Sequence, residues 1–285
     1  MTLLPFTKMH GIGNDFVVID FVTQSGVLRP ETIRHLADRH TGIGFDQLLL
    51  IEPPQSPDAD FFYRIFNADG TESSQCGNGA RCVGKYIFDK RLSVKTTLTL
   101  QTRVGRMITR RLSSAQFEVQ LEPPALDPKA AGYHSVIGSE PPFAAGFDPA
   151  FEWSFGVVDL GNPHAVLICD HLDTLDVSAL AQQFCDNHIF ESGVNVGFMS
   201  VVSPTIIDLR VVERGAGETL ACGSGACAAV IIGRQFAGLD QTVTVRLPGG
   251  ELVVTWSGPG SEVLMAGPAE RIFEGRIKVP RTMEQ

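Results

Sequence analysis

The stretch YRIFNADGTESSQCGNGA, residues 63 to 80, occurs a second time as LRVVERGAGETLACGSGA, residues 209 to 226. The two copies keep a constant offset of 146 residues, the separation of Cys76 and Cys222, so each half of the chain carries one copy. Besides the cysteines, the residues that recur at matching places are Arg64, Glu72, Gly77, Gly79 and Ala80 in the first copy and Arg210, Glu218, Gly223, Gly225 and Ala226 in the second. In both copies a strand-like run leads into a cysteine, glycines and an apolar, helix-like segment. Each copy therefore predicts a thiol at a helix N-terminus, where a thiolate is stabilised.

The composition describes a globular protein. The chain has 285 residues, 44% hydrophobic and 19% charged, which is enough for two domains that each bury a core. The net charge is −9 and no dense basic run offsets it, which argues against a nucleic-acid partner or an anionic membrane surface. The expected partners are small molecules.

The cysteines and the N-terminal residues favour a cytoplasmic protein. The first 16 residues lack a basic flank followed by an apolar core and a small-residue cleavage site, so no secretory signal is predicted. No apolar run approaches the roughly 18 residues that a membrane helix needs. Six cysteines are a sparse disulfide framework for this length, and reduced thiols are expected at positions 76, 82, 169, 185, 222 and 227.

In the first half the pattern alternates between strands and helices. Two strands around a turn at residues 11 to 14 precede an amphipathic helix at 30 to 40 and strands near 48 to 52 and 61 to 67. After Cys76 the apolar residues Ala80, Val83, Ile87 and Phe88 fall at helical spacing, which predicts a largely buried helix. Three short strands follow between residues 97 and 122.

The second half repeats this order after a proline-rich segment, EPPALDPK, at residues 122 to 129. GNPHAVLI (161 to 168) echoes GNDFVVID (13 to 20), and residues 177 to 184 echo the helix at 30 to 40. The segment 226 to 232 is apolar nearly all round and predicts an enclosed helix, with strands near 242 to 247, 251 to 256 and 262 to 266. No motif places residues 132 to 152.

This repeated order predicts an α+β fold of two pseudo-symmetric domains. Each is expected to be a mixed, mostly antiparallel β-sheet or barrel wrapped around a central helix. The predicted boundaries are 1–124, with 272–285 crossing back to it, for the half that carries Cys76. The half that carries Cys222 is predicted to span 125–271.

Each motif also has a simpler interpretation. CGNG and CGSG are compatible with tight turns that carry a small buried cysteine, but two copies in register favour function. Cys82, Cys169, Cys185 and Cys227 are interpreted as structural residues. Neither cysteine motif has the spacing of a zinc hook, so no metal is expected. His164 after Asn162 and Pro163 is compatible with a turn as well as a site, and Glu72 and Glu218 are assigned no chemistry.

Two thiols, one in each half, fit a stereochemical inversion better than the other thiol chemistries. A cysteine peptidase needs one nucleophile with a histidine, and a dithiol oxidoreductase usually carries C-x-x-C. In an inversion one thiolate removes a proton from a tetrahedral carbon and the other thiol returns a proton to the far face. Free cysteine has a pKa of about 8.5, and a helix N-terminus lowers it. Backbone N–H groups of the glycine turns could hold the carboxylate whose charge grows in the transition state.

The whole chain resembles the diaminopimelate epimerases, which are independent of pyridoxal phosphate. The motifs that carry the resemblance are MHGIGNDF, GFDQ, FNADGTESSQCGNGARC, GNPHAV, SGVN, ERGAGETLACGSGACA and MAGPA, all in the family's order. The resemblance implies interconversion of LL- and meso-diaminopimelate in lysine synthesis, no cofactor and a homodimer. It implies Cys76 and Cys222 as the acid and base pair and His164 and Glu213 as auxiliary residues. It also implies substrate contacts from Asn14, Gln47, Asn67, Gly77, Asn78, Asn162, Asn195, Glu213, Arg214, Gly223 and Ser224.

The residue types agree with such a substrate. Diaminopimelate has an amino and a carboxylate group at each end, and amides together with the planar fork of Arg214 suit those groups. No lysine lies in the paired motifs, which weakens the case for a Schiff-base cofactor. Two alternatives stay open. One is a proline or hydroxyproline epimerase, which has one carboxylate to bind, and the other is a redox or binding protein in which the two cysteines form a regulatory disulfide.

Overall fold

The computed structural model describes residues 2–74, 76–134, 141–145, 153–186 and 189–279. The chain divides into two compact units. The first unit comprises residues 1–119 and 267–285, and the second comprises residues 120–266.

The elements of the described residues follow one another in the same order in each unit. The first set is β1 (Thr2–Gly11), β2 (Asn14–Asp20), α1 (Pro30–Ala37), β3 (Gln47–Glu52), β4 (Phe61–Asn67), β5 (Glu72–Ser73), α2 (Gly77–Asp89), β6 (Thr97–Gln101), β7 (Arg106–Arg111) and β8 (Gln116–Leu121). The second set begins with β9 (Phe143–Ala145), which has no counterpart in the first, and continues with β10 (Trp153–Asp159), β11 (Pro163–Ile168), α3 (Val177–Asp186), β12 (Asn195–Ser203), β13 (Ile206–Glu213), β14 (Gly217–Thr219), α4 (Gly223–Phe236), β15 (Thr242–Leu247), β16 (Gly250–Trp256) and β17 (Val263–Pro268). The last strand, β18 (Glu270–Val279), belongs to the first unit.

The strand pairing of the first unit is mixed. β1 lies antiparallel to β18 and to β2, β2 runs parallel to β3, and β3 is antiparallel to β4. β4 is antiparallel to β5 and parallel to β6, which pairs with β7 in an antiparallel hairpin. A parallel pair needs a crossover, and α1 and α2 lie in the two crossovers.

In the second unit the pairing follows the same scheme. β10 is antiparallel to β9 and β11, β11 is parallel to β12, and β12 is antiparallel to β13. β13 is antiparallel to β14 and parallel to β15, and β15, β16 and β17 continue as antiparallel neighbours. The predicted fold class, with two pseudo-symmetric halves, is therefore confirmed.

Each sheet wraps around one helix. In the first unit Ala80, Val83 and Ile87 of α2 are buried, as the helical spacing predicted, while Phe88 is half-buried. All residues from 226 to 232 of α4 are fully buried in the second unit, which confirms the enclosed helix. A second apolar layer, around Ile33 of α1, covers the other face of β2 and β3. Because helices contact both faces of β3, its residues 48 to 51 are continuously apolar.

Some sequence predictions need correction. Helix α1 ends at Ala37 rather than at residue 40, because Asp38 is extended and its carboxylate accepts the N–H groups of His40 and Thr41 to start a turn. Strand β10 was not predicted. In the unassigned segment 132 to 152, β9 pairs with β10, while residues 135–140 and 146–152 lie outside the described residues. Within the proline-rich segment, Ala125 forms a bridge with Asp159.

Membrane insertion through a helix has no support in the part of the chain that the structure describes. None of its helices combines the length and the apolar character that are needed to cross a bilayer.

Gly79 is required by the packing of α2 against β4. A Cβ atom at Gly79 would lie 2.2 Å from the Tyr63 hydroxyl oxygen and 3.1 Å from Leu49 Cδ2. We expect Gly79→Ala to lower the free energy of unfolding by about 1–3 kcal/mol. Because the nearest obstacle is the hydroxyl, the loss should be smaller in a Tyr63→Phe background, as urea denaturation of the four proteins of this double-mutant cycle would measure.

The matched control is Gly105→Ala. A Cβ atom there meets nothing within 4 Å, so stability should stay within about 0.5 kcal/mol of wild type. Equal losses for Gly79→Ala with and without the Tyr63 hydroxyl would contradict this explanation of the glycine.

Candidate active site

Cys76 is the N-cap residue of α2. Its Sγ accepts the N–H of Gly79 at 3.3 Å, which satisfies one of the first-turn donors. Its carbonyl oxygen accepts the N–H of Ala80 at 2.9 Å and the hydroxyl of Tyr63 at 3.2 Å. Burial, followed by the nearby thiols, raises the pKa of Tyr63 well above its usual range, so this hydroxyl remains a donor. The sequence analysis did not single out Tyr63.

Three predicted amides lie at one edge of the first unit's sheet. The parallel strands β2 and β3 begin at Asn14 and Gln47, and the antiparallel strand β4 ends at Asn67, directly opposite Gln47. Gln47 Nε2 donates to Asn67 Oδ1 at 3.0 Å. Asn78, in the first turn of α2, donates from Nδ2 to Asn14 Oδ1 at 3.4 Å. Asn78 thus connects Asn14 to the helix turn that begins at Cys76.

A network of charged side chains next to Asn14 orients its amide group. Asp46 Oδ2 accepts Asn14 Nδ2 and the backbone N–H of Asp15, each at 3.0 Å. Arg39 bridges Asp15 and Asp46 at 2.8 Å to each, and Lys8 contacts Asp15. Burial alone would raise the pKa of Asp15, but hydrogen bonds from Arg39 and Lys8 outweigh it and lower the pKa to about 2. Arg39 and Lys8 carried no sequence signal, whereas Asp46 lay inside the GFDQ motif.

Cys222 is the N-cap residue of α4 and is only 3% exposed. Burial, and then the negative charge of Glu213 and its hydrogen bond with the thiol, raise the pKa of Cys222 well above its ordinary value. The N–H of Gly225 and the hydroxyl of Ser224, whose oxygen is 3.7 Å from Sγ, act in the opposite direction but are outweighed. The expectation that a helix N-terminus lowers the pKa is therefore wrong for this thiol, because desolvation and the carboxylate dominate.

The polar residues of the second unit also meet at one sheet edge. His164 and Asn195 are paired neighbours on the parallel strands β11 and β12. Asn195 Oδ1 accepts the backbone N–H of Arg214 at 3.0 Å, and its Nδ2 donates to a backbone carbonyl of β11 at 3.1 Å. Asn162 Oδ1 lies 3.2 Å from His164 Nε2, and Asn162 Nδ2 lies 3.5 Å from Ser224 Oγ, in the first turn of α4.

His164 is a neutral imidazole. Its side chain is fully buried, and burial, with the positive charge of Arg214 second, lowers its pKa to about 3. A proton on Nε2 lets the ring donate to Asn162 Oδ1 and so fixes that amide. Nδ1 is buried and has no hydrogen-bond partner among the described residues. The histidine therefore orients a neighbour at neutral pH and does not supply a positive charge.

Arg214 places a cation at the end of β13. Its Nη1 donates to the carbonyl oxygen of Ser192 at 2.7 Å, and its aliphatic stem packs beside Gly193. In the described part of the chain no carboxylate pairs with this guanidinium, which is solvent-exposed. The remaining N–H groups are thus available to bind an anion.

The duplicated arginine and glutamate form an ion pair in both units. Arg64 binds Glu72 through two hydrogen bonds of 2.7 and 3.1 Å, and Arg210 binds Glu218 through two of 2.7 and 2.9 Å. Each pair links the long strand to the short strand that leads to the cysteine. Glu72 and Glu218, to which the sequence assigned no chemistry, therefore brace the approach to each thiol.

A family model described as diaminopimelate epimerase matches residues 6–124 and 156–272, which include both cysteines and both sheet edges. This chain belongs to the diaminopimelate epimerase family. The resemblance that its motifs indicated is thereby confirmed, and the two halves of the match correspond to the two repeats of the fold.

Solved structures share the fold. A probable proline racemase from Agrobacterium radiobacter K84 superposes with a TM-score of 0.68 at 15% identity, covering 97% of this chain and 93% of its own. A hydroxyproline epimerase from Agrobacterium vitis gives 0.68 at 14%, covering 96% and 92%. A phenazine biosynthesis protein of the PhzF family from Bacillus anthracis gives 0.67 at 15%, covering 98% and 100%. At these identities the similarity concerns the fold.

The buried His164 predicts a pH dependence of stability. Its pKa is 6.5 in an unfolded chain and about 3 in the folded protein, so between these values only the unfolded chain binds the proton. Above pH 6.5 the residue contributes no pH dependence, and stability is lost as the pH falls toward 3. Between pH 6 and 4, the slope of unfolding free energy against pH should therefore be smaller in His164→Gln than in wild type, by an amount that corresponds to at most one bound proton.

Urea denaturation at several pH values measures this slope. The six other histidines are common to both proteins, so their titration cancels in the comparison. Parallel curves for wild type and His164→Gln would contradict the buried, neutral imidazole.

The carboxylate of Glu213 predicts a change in thiol reactivity. Glu213→Gln removes the charge that opposes ionisation of Cys222, so more thiolate should be present at pH 7. A loss of one unit in the pKa of Cys222 corresponds to roughly tenfold faster alkylation by iodoacetamide. Peptide mass spectrometry follows Cys222 and Cys76 in the same sample. An unchanged or slower rate at Cys222 would contradict the effect of the carboxylate.

Proposed function

We propose that this protein is a diaminopimelate epimerase that interconverts LL- and meso-2,6-diaminopimelate without a cofactor. The observation that supports the reaction type is the presence of one thiol at the N-cap of each central helix, Cys76 and Cys222. Family membership supports the same reaction. The proposal includes a role in lysine synthesis, a cytoplasmic location and a homodimer.

The proposed reaction moves two protons and no other atoms. A thiolate takes the α-proton and becomes a thiol, and the electron pair left on the α-carbon is delocalised into the carboxylate. The second thiol gives its proton to the opposite face of that carbon and becomes a thiolate. The protonation states of Cys76 and Cys222 are exchanged, and no electrons are gained or lost. Either thiol serves as base for the direction in which it begins ionised.

The developing carboxylate charge needs donors that are already in place. The first turns of α2 and α4 supply backbone N–H groups at Gly77, Asn78, Gly223 and Ser224, where the helix dipoles also favour an anion. Donors fixed by a helix need no reorganisation during the reaction. These four residues are therefore proposed to bind the carboxylate of the reacting carbon.

Arg214 and the amides are proposed to select a substrate with two polar ends. The guanidinium of Arg214, whose Nη1 also donates to the Ser192 carbonyl, suits the distal carboxylate because its planar fork can form two parallel hydrogen bonds. Asn14, Gln47, Asn67, Asn162 and Asn195 offer both donors and acceptors for the remaining groups. Binding energy from the distal end would hold the α-carbon in one orientation and so contribute to turnover.

A proline or hydroxyproline epimerase is the second candidate. It is favoured by the similarity in fold to the two Agrobacterium proteins, whose names state those activities. Such a ring substrate has one carboxylate and leaves Arg214 without an equivalent partner. The substrate test below separates the two.

Proton NMR in D₂O with LL-diaminopimelate, purified protein and no added cofactor tests the proposal. We expect loss of the α-proton signal and formation of the meso isomer, and lysine and proline should react poorly. Cys76→Ala and Cys222→Ala should each lower the rate by at least about 10³-fold, the scale for a positioned acid or base. Cys82→Ala and Cys227→Ala, which alter buried thiols within α2 and α4, are the controls and should retain turnover.

Arg214→Lys tests the substrate assignment in the same assay. It keeps the charge but loses the fork, so kcat/KM for diaminopimelate should fall by roughly 1.5–3 kcal/mol of transition-state binding. Faster inversion of proline than of diaminopimelate, together with an unchanged Arg214→Lys, would replace this proposal by the second candidate.

A further inference from the structure

The two cysteine motifs have the same backbone frame, and two of the positions at which their side chains differ matter for the thiol. Ser73 lies opposite Ile65 on β5 and β4, and Thr219 lies opposite Val211 on β14 and β13, so these residues correspond. By the same offset of 146 residues, Asn67 at the end of β4 corresponds to Glu213 at the end of β13. The second unit therefore combines a carboxylate and a threonine where the first has an amide and a serine.

In the second unit these two side chains are directly bonded. The hydroxyl of Thr219 donates to Glu213 Oε1 at 2.6 Å, a short hydrogen bond to a charged acceptor. The negative charge of Glu213 in turn acts on the thiol of Cys222 and opposes its ionisation. Thr219 lies in a two-stranded pairing that is braced by the ion pair of Arg210 and Glu218, so its hydroxyl is attached to a fixed backbone.

We propose that Thr219 is a positioning residue that holds the Glu213 carboxylate beside the Cys222 thiol. Without the hydroxyl, Glu213 is free to choose among rotamers that point to solvent, because its own side chain is only partly buried. The proton of Cys222 is then no longer stabilised by a fixed negative charge. The catalytic consequence of this role rests on the proposed function, whereas its effect on the thiol does not.

The other charged and titratable groups around this thiol do not replace Glu213. Arg214, the next residue along β13, donates to the Ser192 carbonyl, and its charge acts on His164. His164, on β11, is neutral. On α4 the nearest polar groups are the Ser224 hydroxyl and the Gly225 N–H, which favour the thiolate. Among these groups Glu213 is thus the negative charge that adds to burial in favouring the protonated form of Cys222.

The test measures iodoacetamide alkylation of Cys222 against pH by peptide mass spectrometry. In Thr219→Val we expect alkylation at pH 7 to rise by roughly 3–10-fold, the change for up to one unit in the pKa of a thiol. Thr219→Ser keeps a hydroxyl and should retain the wild-type profile. In a Glu213→Gln background Thr219→Val should have no further effect, because the residue acts through that carboxylate.

Thr205→Val is the matched control, since the hydroxyl of this exposed threonine, on the turn before β13, contacts the Ser203 hydroxyl and no other side chain within the described ranges. It should leave the profile of Cys222 unchanged. An unchanged or slower rate in Thr219→Val, or an equal effect with and without the Glu213 carboxylate, would overturn the proposal.

Turnover with diaminopimelate gives the second readout. We expect kcat of Thr219→Val to fall roughly tenfold while KM stays within about twofold, since the residue supports the acid and does not bind substrate. Alkylation requires no substrate. If wild type inverts no diaminopimelate but the Cys222 profile still shifts, the proposed function fails and the role of Thr219 stands.

Discussion

Both halves of this protein depend on starting a helix inside the sheet that surrounds it. A buried helix N-terminus leaves backbone N–H groups without partners, and these must be satisfied without a bulky cap. In α2 the thiolate or thiol sulfur of Cys76 accepts one of them, and the missing side chain of Gly79 leaves room for Tyr63. The geometry that makes the helix possible is thus also the geometry that the proposed chemistry needs.

The backbone arrangement around the cysteine is the same in both units, but the side chains at the corresponding strand ends differ in charge. An amide occupies the end of β4, where Asn67 accepts from Gln47, and a carboxylate occupies the corresponding end of β13, where Glu213 raises the pKa of Cys222. Burial and this carboxylate favour the protonated form of Cys222, whereas the corresponding strand end in the first unit carries an uncharged amide.

The repeated motif was enough to predict the helices at both cysteines and the shared order of strands. The resemblance to the family, and not the repeat, named the amides Asn14, Gln47 and Asn67, and the structure places them at strand ends on one edge of the mixed sheet. The sequence could not predict whether burial and the Glu213 carboxylate, or the hydrogen-bond donors of the helix N-terminus, would dominate the pKa of the Cys222 thiol. The helix N-terminus of Cys222 is readable from the glycines, whereas the degree of its burial depends on the packing of the entire unit.

Contacts between residues that are far apart in the sequence could not be predicted either. Arg39, which follows the C-terminal end of α1, binds Asp15, and no sequence pattern around Arg39 predicts this contact. Strand β10 was missed because the segment before it has no motif, and its place follows from pairing with β11 rather than from its own residues. Residues whose roles depend on neighbours distant in sequence are the ones that require coordinates.

The pairing of β1 with β18 sets an order of events during synthesis on the ribosome. β1 forms one of its two ladders with β18, which is synthesised after the strands of the second unit, whereas the strands of the second unit follow one another in the chain. The second unit can therefore complete its sheet while the first still has an open edge at β1. Since unpaired strand edges can pair with other chains, we expect the first unit to be the more prone to association until β18 has been synthesised.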